Sequence, residues 1–196
     1  MQHEMPPGGH RARSEATRAA LLRAARRLFV ERGYADTATP DVVAAAGVTR
    51  GALYHHFADK RDLFRAVLAT ESRALVDAIE AACPPGLPAR RALVAGSVAY
   101  LDAMAVPGRT RLLLVDGPAV LGPAEMRALD EAHGLASLRQ GLAAAMPGAP
   151  LPLAPLAELL SAAFDRAALA LAEGADRPAF QTAMVGLLLR VLGDPE

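Results

Sequence analysis

The sequence predicts an all-α protein: a small three-helix N-terminal unit joined to a larger helical domain. Three observations lead there. Hydrophobic residues make up 53% of the chain and aromatic ones only 4%, so the apolar content is mostly Ala, Leu and Val, and Ala and Leu favour helix strongly. Long β-branched runs are absent. Apolar positions recur at the three-to-four-residue spacing of a helical stripe, with Gly and Pro pairs standing between the stripes. About nine helices fit, with no convincing strand.

Ser14 is placed to cap the first helix, which runs to about Arg32. Leu21, Leu22, Ala25, Leu28 and Phe29 form its stripe, and Gly33 ends it. Residues 1–13, polar and rich in Pro, Gly and His, read as a disordered tail, with Arg11 and Arg13 falling in it; a basic arm that reaches a partner is the alternative. A second helix spans about Pro40 to Ala46, with Thr39 or Thr37 as cap. Gly47 breaks it, and Thr49 caps a third helix through Phe57. Asp59 opens a long fourth helix, with Asp62 as a capping-box-like partner, and Cys83-Pro84-Pro85-Gly86 stops it. Further helices fit about 88–105, 109–116, 124–146, 154–173 and 177–192. The predicted organisation is a tail at 1–13, a three-helix unit at 14–58 and a second domain at 59–196.

Net charge is zero, but residues 1–65 hold 11 basic and 7 acidic side chains and the remainder 10 and 14. A positive front suits a phosphate-bearing partner. Cys83 is the only cysteine, so no intrachain disulfide forms, as expected in a reducing cytoplasm. No apolar run approaches the roughly 18 residues that span a bilayer, and no signal-peptide core is visible. A soluble, cytoplasmic protein without membrane contact is expected.

Two short helices joined by a tight Gly-containing turn form a helix-turn-helix, whose second helix enters the DNA major groove. Gly47 supplies the left-handed turn conformation, and Ala44, Ala45 and Ala46 are small, as a close helix crossing requires. Val48, Leu53 and Phe57 face inward. Thr49, Arg50, Ala52, Tyr54, His55 and His56 are left outward, and no acidic residue lies between Asp41 and Asp59 to repel phosphate. The candidate DNA-binding set is therefore Thr37, Thr39, Thr49, Arg50, Gly51, Ala52, Tyr54, His55, His56 and Lys60. Hydroxyls at Thr49 and Tyr54 suit phosphate oxygens; Arg50 can reach guanine or phosphate. Gly51 and Ala52 permit close approach, and Lys60 stands where an ammonium and a helix N-terminus together hold a phosphate.

Residues 14–68 resemble the DNA-binding domain of the tetracycline-repressor (TetR) family. The likeness rests on Leu28-Phe29-Val30-Glu31-Arg32-Gly33-Tyr34, on Asp41-Val42, on Ala46 through Phe57, and on Asp59-Lys60 followed by Leu63-Phe64. Thr39, Pro40 and Val43 depart from the usual pattern at the start of the second helix. The resemblance implies double-stranded operator DNA as partner, a homodimer matching a pseudo-palindromic operator, and a small-molecule effector. It further implies a four-helix bundle at the dimer interface. Leu160, Phe164, Ala167, Leu171, Phe180, Met184, Leu187, Leu188 and Val191 are the candidates for it, the core of a monomer being the alternative. Tyr100, Met104, Met126, His133, Phe164 and Asp165 are candidate ligand contacts, with core packing as the alternative reading; they suit an unidentified, largely apolar molecule with one or two polar handles.

No cofactor, metal site or catalysis is expected. Ser97, His133, Asp116 and Asp165 are present, but no nucleophile elbow, HExxH, P-loop or GxGxxG accompanies them. His55 and His56, as helix neighbours, point about 100° apart and do not share an ion easily. The alternatives to an effector-responsive repressor are a constitutive DNA-binding regulator and, more remotely, an all-helical enzyme.

Overall fold

The computed structural model describes residues 8–131, 134–148 and 151–193, and these contain helices and no strand. No helix among them is long and apolar enough to cross a membrane. The chain divides into two compact units, one ending at Leu68 and the other beginning at Ala69.

The first unit comprises α1 (Gly8–Arg32), α2 (Thr39–Ala46), α3 (Arg50–His56) and the start of α4 (Lys60–Ala81). Leu21, Ala25, Phe29, Val42, Leu53, Leu63, Phe64 and Leu68 are fully buried together, each large side chain contributing about 1.5–3 kcal/mol. Phe29 meets Phe64 edge-on at 5.0 Å between ring centroids, and Tyr34 covers both. The expected caps hold in part. Thr49 accepts from the Ala52 N–H at 3.2 Å, and Asp59 accepts from the Asp62 N–H at 2.7 Å while Asp62 accepts from the Ala58 N–H. α2, by contrast, is capped by Ala38 without a side-chain bond; Pro40 in its first turn removes one of the donors a cap would satisfy. Ala44 and Ala45, expected at a helix crossing, are exposed. α1 begins at Gly8 rather than at Ser14, so the stretch read as tail is helical from there; its Ala and Arg residues favour helix.

The second unit continues α4 and adds α5 (Ala89–Met104), α6 (Arg109–Arg111), a π-helical segment (Leu112–Asp116), α7 (Gly117–Leu121), α8 (Pro123–Glu131), α9 (Gly134–Ala145), α10 (Leu153–Ala172) and α11 (Arg177–Val191). Its core joins Leu93, Leu101, Leu135, Leu142, Leu160, Phe164, Met184 and Leu188 from α5, α9, α10 and α11. A Cβ on Gly141 would lie 2.8 Å from Leu93, so glycine sets the close approach of α9 to α5. One expectation changes here. Gly117-Pro118 does not end the helix begun at Arg109. The wide π turn ahead of it accommodates a proline ring that clashes with an ordinary α-turn. Of the helix expected over 124–146, α8 and α9 are described, and residues 132–133 lie outside the described residues.

Candidate nucleic-acid interface

Gly47 stands at φ +65° between α2 and α3, and this turn fixes which face of α3 is free. Leu53 and Phe57 go inward at 0% and 3% exposure. Thr49, Arg50, Gly51, Tyr54 and His55 are exposed, and Thr39, Ala52 and His56 are half-buried. The outward groups form one connected surface. The Arg50 guanidinium carbon sits 5.5 Å from the Tyr54 ring centroid. Hydrogen bonds from Thr39 and then Arg50 hold the Tyr54 phenol below its usual pKa. At the other end of α3 the His55 and His56 rings meet edge-on at 5.2 Å; partial burial, then His55 and Arg18, push the His56 imidazole below its usual value, which favours its neutral form. A Cβ on Gly51 would meet only Thr49 Oγ1 at 3.9 Å, so nothing within the chain requires glycine there.

Two of the expected DNA contacts serve the fold instead. Thr37 is 1% exposed, and its hydroxyl donates toward the carbonyls of Gly33 at 2.7 Å and Leu28 at 3.2 Å, tying the α1–α2 connection to α1. Lys60 directs its ammonium at the carbonyls of Tyr34, Thr37 and Ala35 at 2.9, 3.1 and 3.3 Å, with the Tyr34 ring 4.3 Å away. An ammonium has three donor hydrogens, and these three carbonyls account for all of them. Lys60 here clamps the α1–α2 loop.

In the second unit Tyr100, Phe164 and Asp165 come together. The Tyr100 hydroxyl donates to Asp165 Oδ1 at 2.6 Å, and its ring lies 5.5 Å from that of Phe164. Burial, then the Asp165 charge, raise the Tyr100 pKa well above its usual value; burial also raises that of Asp165, in part offset by the Tyr100 hydrogen bond. Asp130 joins this group electrostatically, its carboxyl pushed up to about 6 by burial, Asp165 and Glu131. Met104 is separate and lines a groove of about 290 Å³ with Leu101, Val106, Thr110, Leu171 and Arg177. Met126 is half-buried on α8, and His133 lies outside the described residues.

The expected dimer residues require correction. Leu160, Phe164, Ala167, Met184 and Leu188 belong to the chain's own core, and Leu171, Phe180 and Val191 pack against it. Leu187 alone of that set is exposed, at 43%. An amphipathic helix has one apolar stripe, and here that stripe is used internally. The large apolar residues left outside on α10 and α11 are Leu159 at 70%, Leu187 and Leu189, and Leu189 lines a shallow groove with Pro178, Gln181, Thr182, Val185 and Gly186. The sequence reading missed this face and one buried ion pair. Arg109 on α6 and Glu71 on α4 meet at 3.0 Å, while Arg109 also donates to the Ala103 carbonyl.

A glycine-hinged helix pair whose second helix turns arginine, tyrosine and hydroxyls outward defines a DNA-binding helix-turn-helix regulator. The second unit narrows the class. Residues 21–67 match the model of the bacterial regulatory proteins of the tetR family. Residues 90–194, more than half of the chain, match that of the tetracyclin repressor-like C-terminal domain. The chain belongs to the tetracycline-repressor family of transcriptional regulators. A TetR-family regulator from Pectobacterium atrosepticum is 34% identical, with a TM-score of 0.70 over 95% of this chain and 99% of that one. The regulator LfrR from Mycobacterium smegmatis, solved in complex with proflavine, is 26% identical, with a TM-score of 0.63 over 89% and 94%. Among curated relatives, the transcriptional repressor BepR of Brucella suis biovar 1 is 43% identical over 58 residues, 30% of this chain and 28% of its own. TtgR of Pseudomonas putida is 48% identical over 55 residues, 28% of this chain and 26% of its own. The chain thus matches little more than a quarter of the length of these two relatives.

Proposed function

We propose that this chain is an effector-responsive transcriptional repressor, binding a pseudo-palindromic operator as a homodimer in the cytoplasm and released from it by a small, largely apolar molecule. The observation that carries the reading is the connected outward surface of Thr39 at the start of α2 with Arg50 and Tyr54 of α3, a helix whose inward Leu53 is fully buried. A fixed arginine beside two hydroxyls suits base edges and phosphates at once.

The groove beside Met104 is the effector site favoured here, because Thr110 and Arg111 of α6 line it and the adjacent Arg109 is ion-paired to Glu71 on α4. α4 begins at Lys60, which grips the carbonyls of Tyr34, Ala35 and Thr37. A ligand that displaces α6 therefore pulls on a helix anchored in the DNA-binding unit. The proflavine complex of LfrR supports a small-molecule effector. The exposed Leu159, Leu187 and Leu189 support a second copy of the chain docking on α10 and α11.

A mobility-shift assay with intergenic DNA from upstream of its own gene tests the reading. Salt-dependent retardation is expected, relieved 5- to 150-fold by a ligand that raises the melting temperature. Light scattering is expected to give a dimer at micromolar concentration. Hydrolytic activity without DNA binding would overturn the reading.

A further inference from the structure

Four helix ends meet at the groove beside Met104. α5 ends at Met104 and α10 at Ala172, while the continuous helix of α6, the π segment and α7 begins at Arg109 and α11 at Arg177. Two negative and two positive dipole ends offset one another, so side chains decide which charge the groove accepts. The backbone acceptors at the two C-terminal ends are already engaged. Arg177 donates to the Leu101 carbonyl, the Ala105 N–H to that of Asp102, Arg109 to that of Ala103 and Thr110 to that of Met104. On α10 the Glu173 and Gly174 N–H groups cover the carbonyls of Leu169, Ala170 and Leu171. The apolar lining comes from Leu101, Met104, Val106, Ala168 and Leu171. Arg111 and Arg177 are the only ionisable side chains among the described residues that line the groove.

Both guanidiniums have acidic neighbours, and both keep donors for a ligand. Asp116 Oδ2 lies 3.2 Å from Arg111 Nε but accepts no hydrogen bond. Asp102 accepts one from Arg177 Nη1 at 3.0 Å, and its side chain is 64% exposed, so water screens much of its charge. Neither carboxylate lines the groove. A guanidinium carries five N–H donors. Arg177 Nε and Nη2 and both Arg111 Nη atoms have no partner among the described residues.

We infer that the effector held in this groove is an amphipathic anion, with an apolar body against Leu101, Met104 and Leu171 and one carboxylate at the guanidiniums of Arg111 and Arg177. Their planar forks match a carboxylate's two oxygens. This rests on the reading of the groove as the effector site, and narrows that effector from a largely apolar molecule to one of stated charge. A volume of about 290 Å³ stands at the small end of ligand pockets, which suits one short chain or ring.

The test is isothermal titration calorimetry of the full-length chain with octanoate, 1-octanol and octylammonium, which share an apolar body and differ in charge. Octanoate is expected to bind about tenfold more tightly than 1-octanol, and octylammonium more weakly than either. This ranking on the wild-type chain tests the charge without any variant. Arg111→Met is expected to cost octanoate about tenfold and to leave 1-octanol unchanged. Arg111→Lys, which keeps the charge and loses the fork, should fall between. Ala172→Trp, at an exposed position lining the groove, should abolish binding of octanoate and 1-octanol alike. Octylammonium binding as tightly as octanoate, an absence of octanoate binding, or an unchanged octanoate affinity in Arg111→Met overturns the anion. The groove itself still stands in those cases if Ala172→Trp abolishes 1-octanol binding. If Ala172→Trp leaves both affinities untouched, the groove reading falls and the anion with it.

Discussion

Arg109 Nε lies 3.0 Å from Glu71 Oε2, with only 9% and 6% of the two side chains exposed. A charge pair this deep costs desolvation on both sides, so its value lies less in net stability than in what happens when one member is lost. Replacing Arg109 with Met removes the counter-charge from the buried Glu71 carboxylate. It is expected to lower the unfolding free energy by about 3 kcal/mol or more, measured by urea denaturation. Arg109→Met combined with Glu71→Met should recover most of that loss and fold normally. If the pair transmits effector binding to α4, the double variant should still bind operator but respond weakly to ligand.

Lys60 carries the second expectation. With its ammonium held by three carbonyls, Lys60→Met should destabilise the N-terminal unit by about 2 kcal/mol. The salt dependence of DNA binding should stay unchanged at temperatures where the variant is folded. A phosphate-binding lysine would behave oppositely, with little loss of stability and a slope lower by about one.

Gly51 separates protein sterics from DNA sterics. Its Cβ position meets nothing closer than 3.9 Å within the chain, so Gly51→Ala should stabilise α3 by up to about 1 kcal/mol through helix propensity. The same change is expected to weaken operator binding, because the added methyl stands on the surface turned toward the groove. A variant both more stable and equally tight in DNA binding would place α3 farther from the bases.

Asp130 sets a pH expectation. Its carboxyl is raised from the ordinary 3.8 to about 6 by burial, by Asp165 and by Glu131. The folded state therefore keeps this proton to higher pH than the unfolded chain does. The group favours folding most below about pH 4, and the contribution is lost as pH rises toward 6. Urea unfolding across that interval is expected to show stability falling with pH from this site, and Asp130→Asn should flatten that part of the profile. Because the residue as a whole is exposed, solvent screens part of the repulsion and the effect should be small.

What could be read from sequence was local. Gly47, the Thr49 cap and the inward pair Leu53 and Phe57 are fixed by residues within a few positions of one another, and all three are found in the structure. The intrachain partners of Thr37 and Lys60 lie elsewhere in the chain, beyond the reach of local spacing. A threonine beside a helix start looks like a cap until the Leu28 and Gly33 carbonyls are seen behind it. Lys60 looks like a phosphate ligand until the loop after α1 folds over it. The Arg109–Glu71 pair spans two helices with no shared motif, so no spacing rule finds it. The α10 and α11 stripes were read correctly as apolar, but periodicity cannot tell a chain's own core from an interface. Leu159 and Leu187 differ from Leu160 and Leu188 only in which way the helix is turned. Pro118 reads as a helix stop in the sequence, because a π turn leaves no trace in the hydrophobic pattern.

The proposed dimer face gives a contrast within one helix. Leu187→Glu should yield a folded monomer by light scattering, with operator affinity lost because one half-site is held weakly. Leu188→Ala should instead lower stability by about 2–5 kcal/mol, since Leu188 is 1% exposed.

Operator fragments selected from genomic DNA by the wild-type chain, then titrated by anisotropy against wild type and Arg50→Ala, probe the outward face of α3 directly. The wild-type chain is expected to select a pseudo-palindromic sequence. Arg50→Ala is expected to bind it about 1–3 kcal/mol more weakly with unaltered thermal unfolding. Equal binding by the two proteins, or the failure of the wild-type chain to enrich any duplex, would contradict a recognition helix at Arg50–His56.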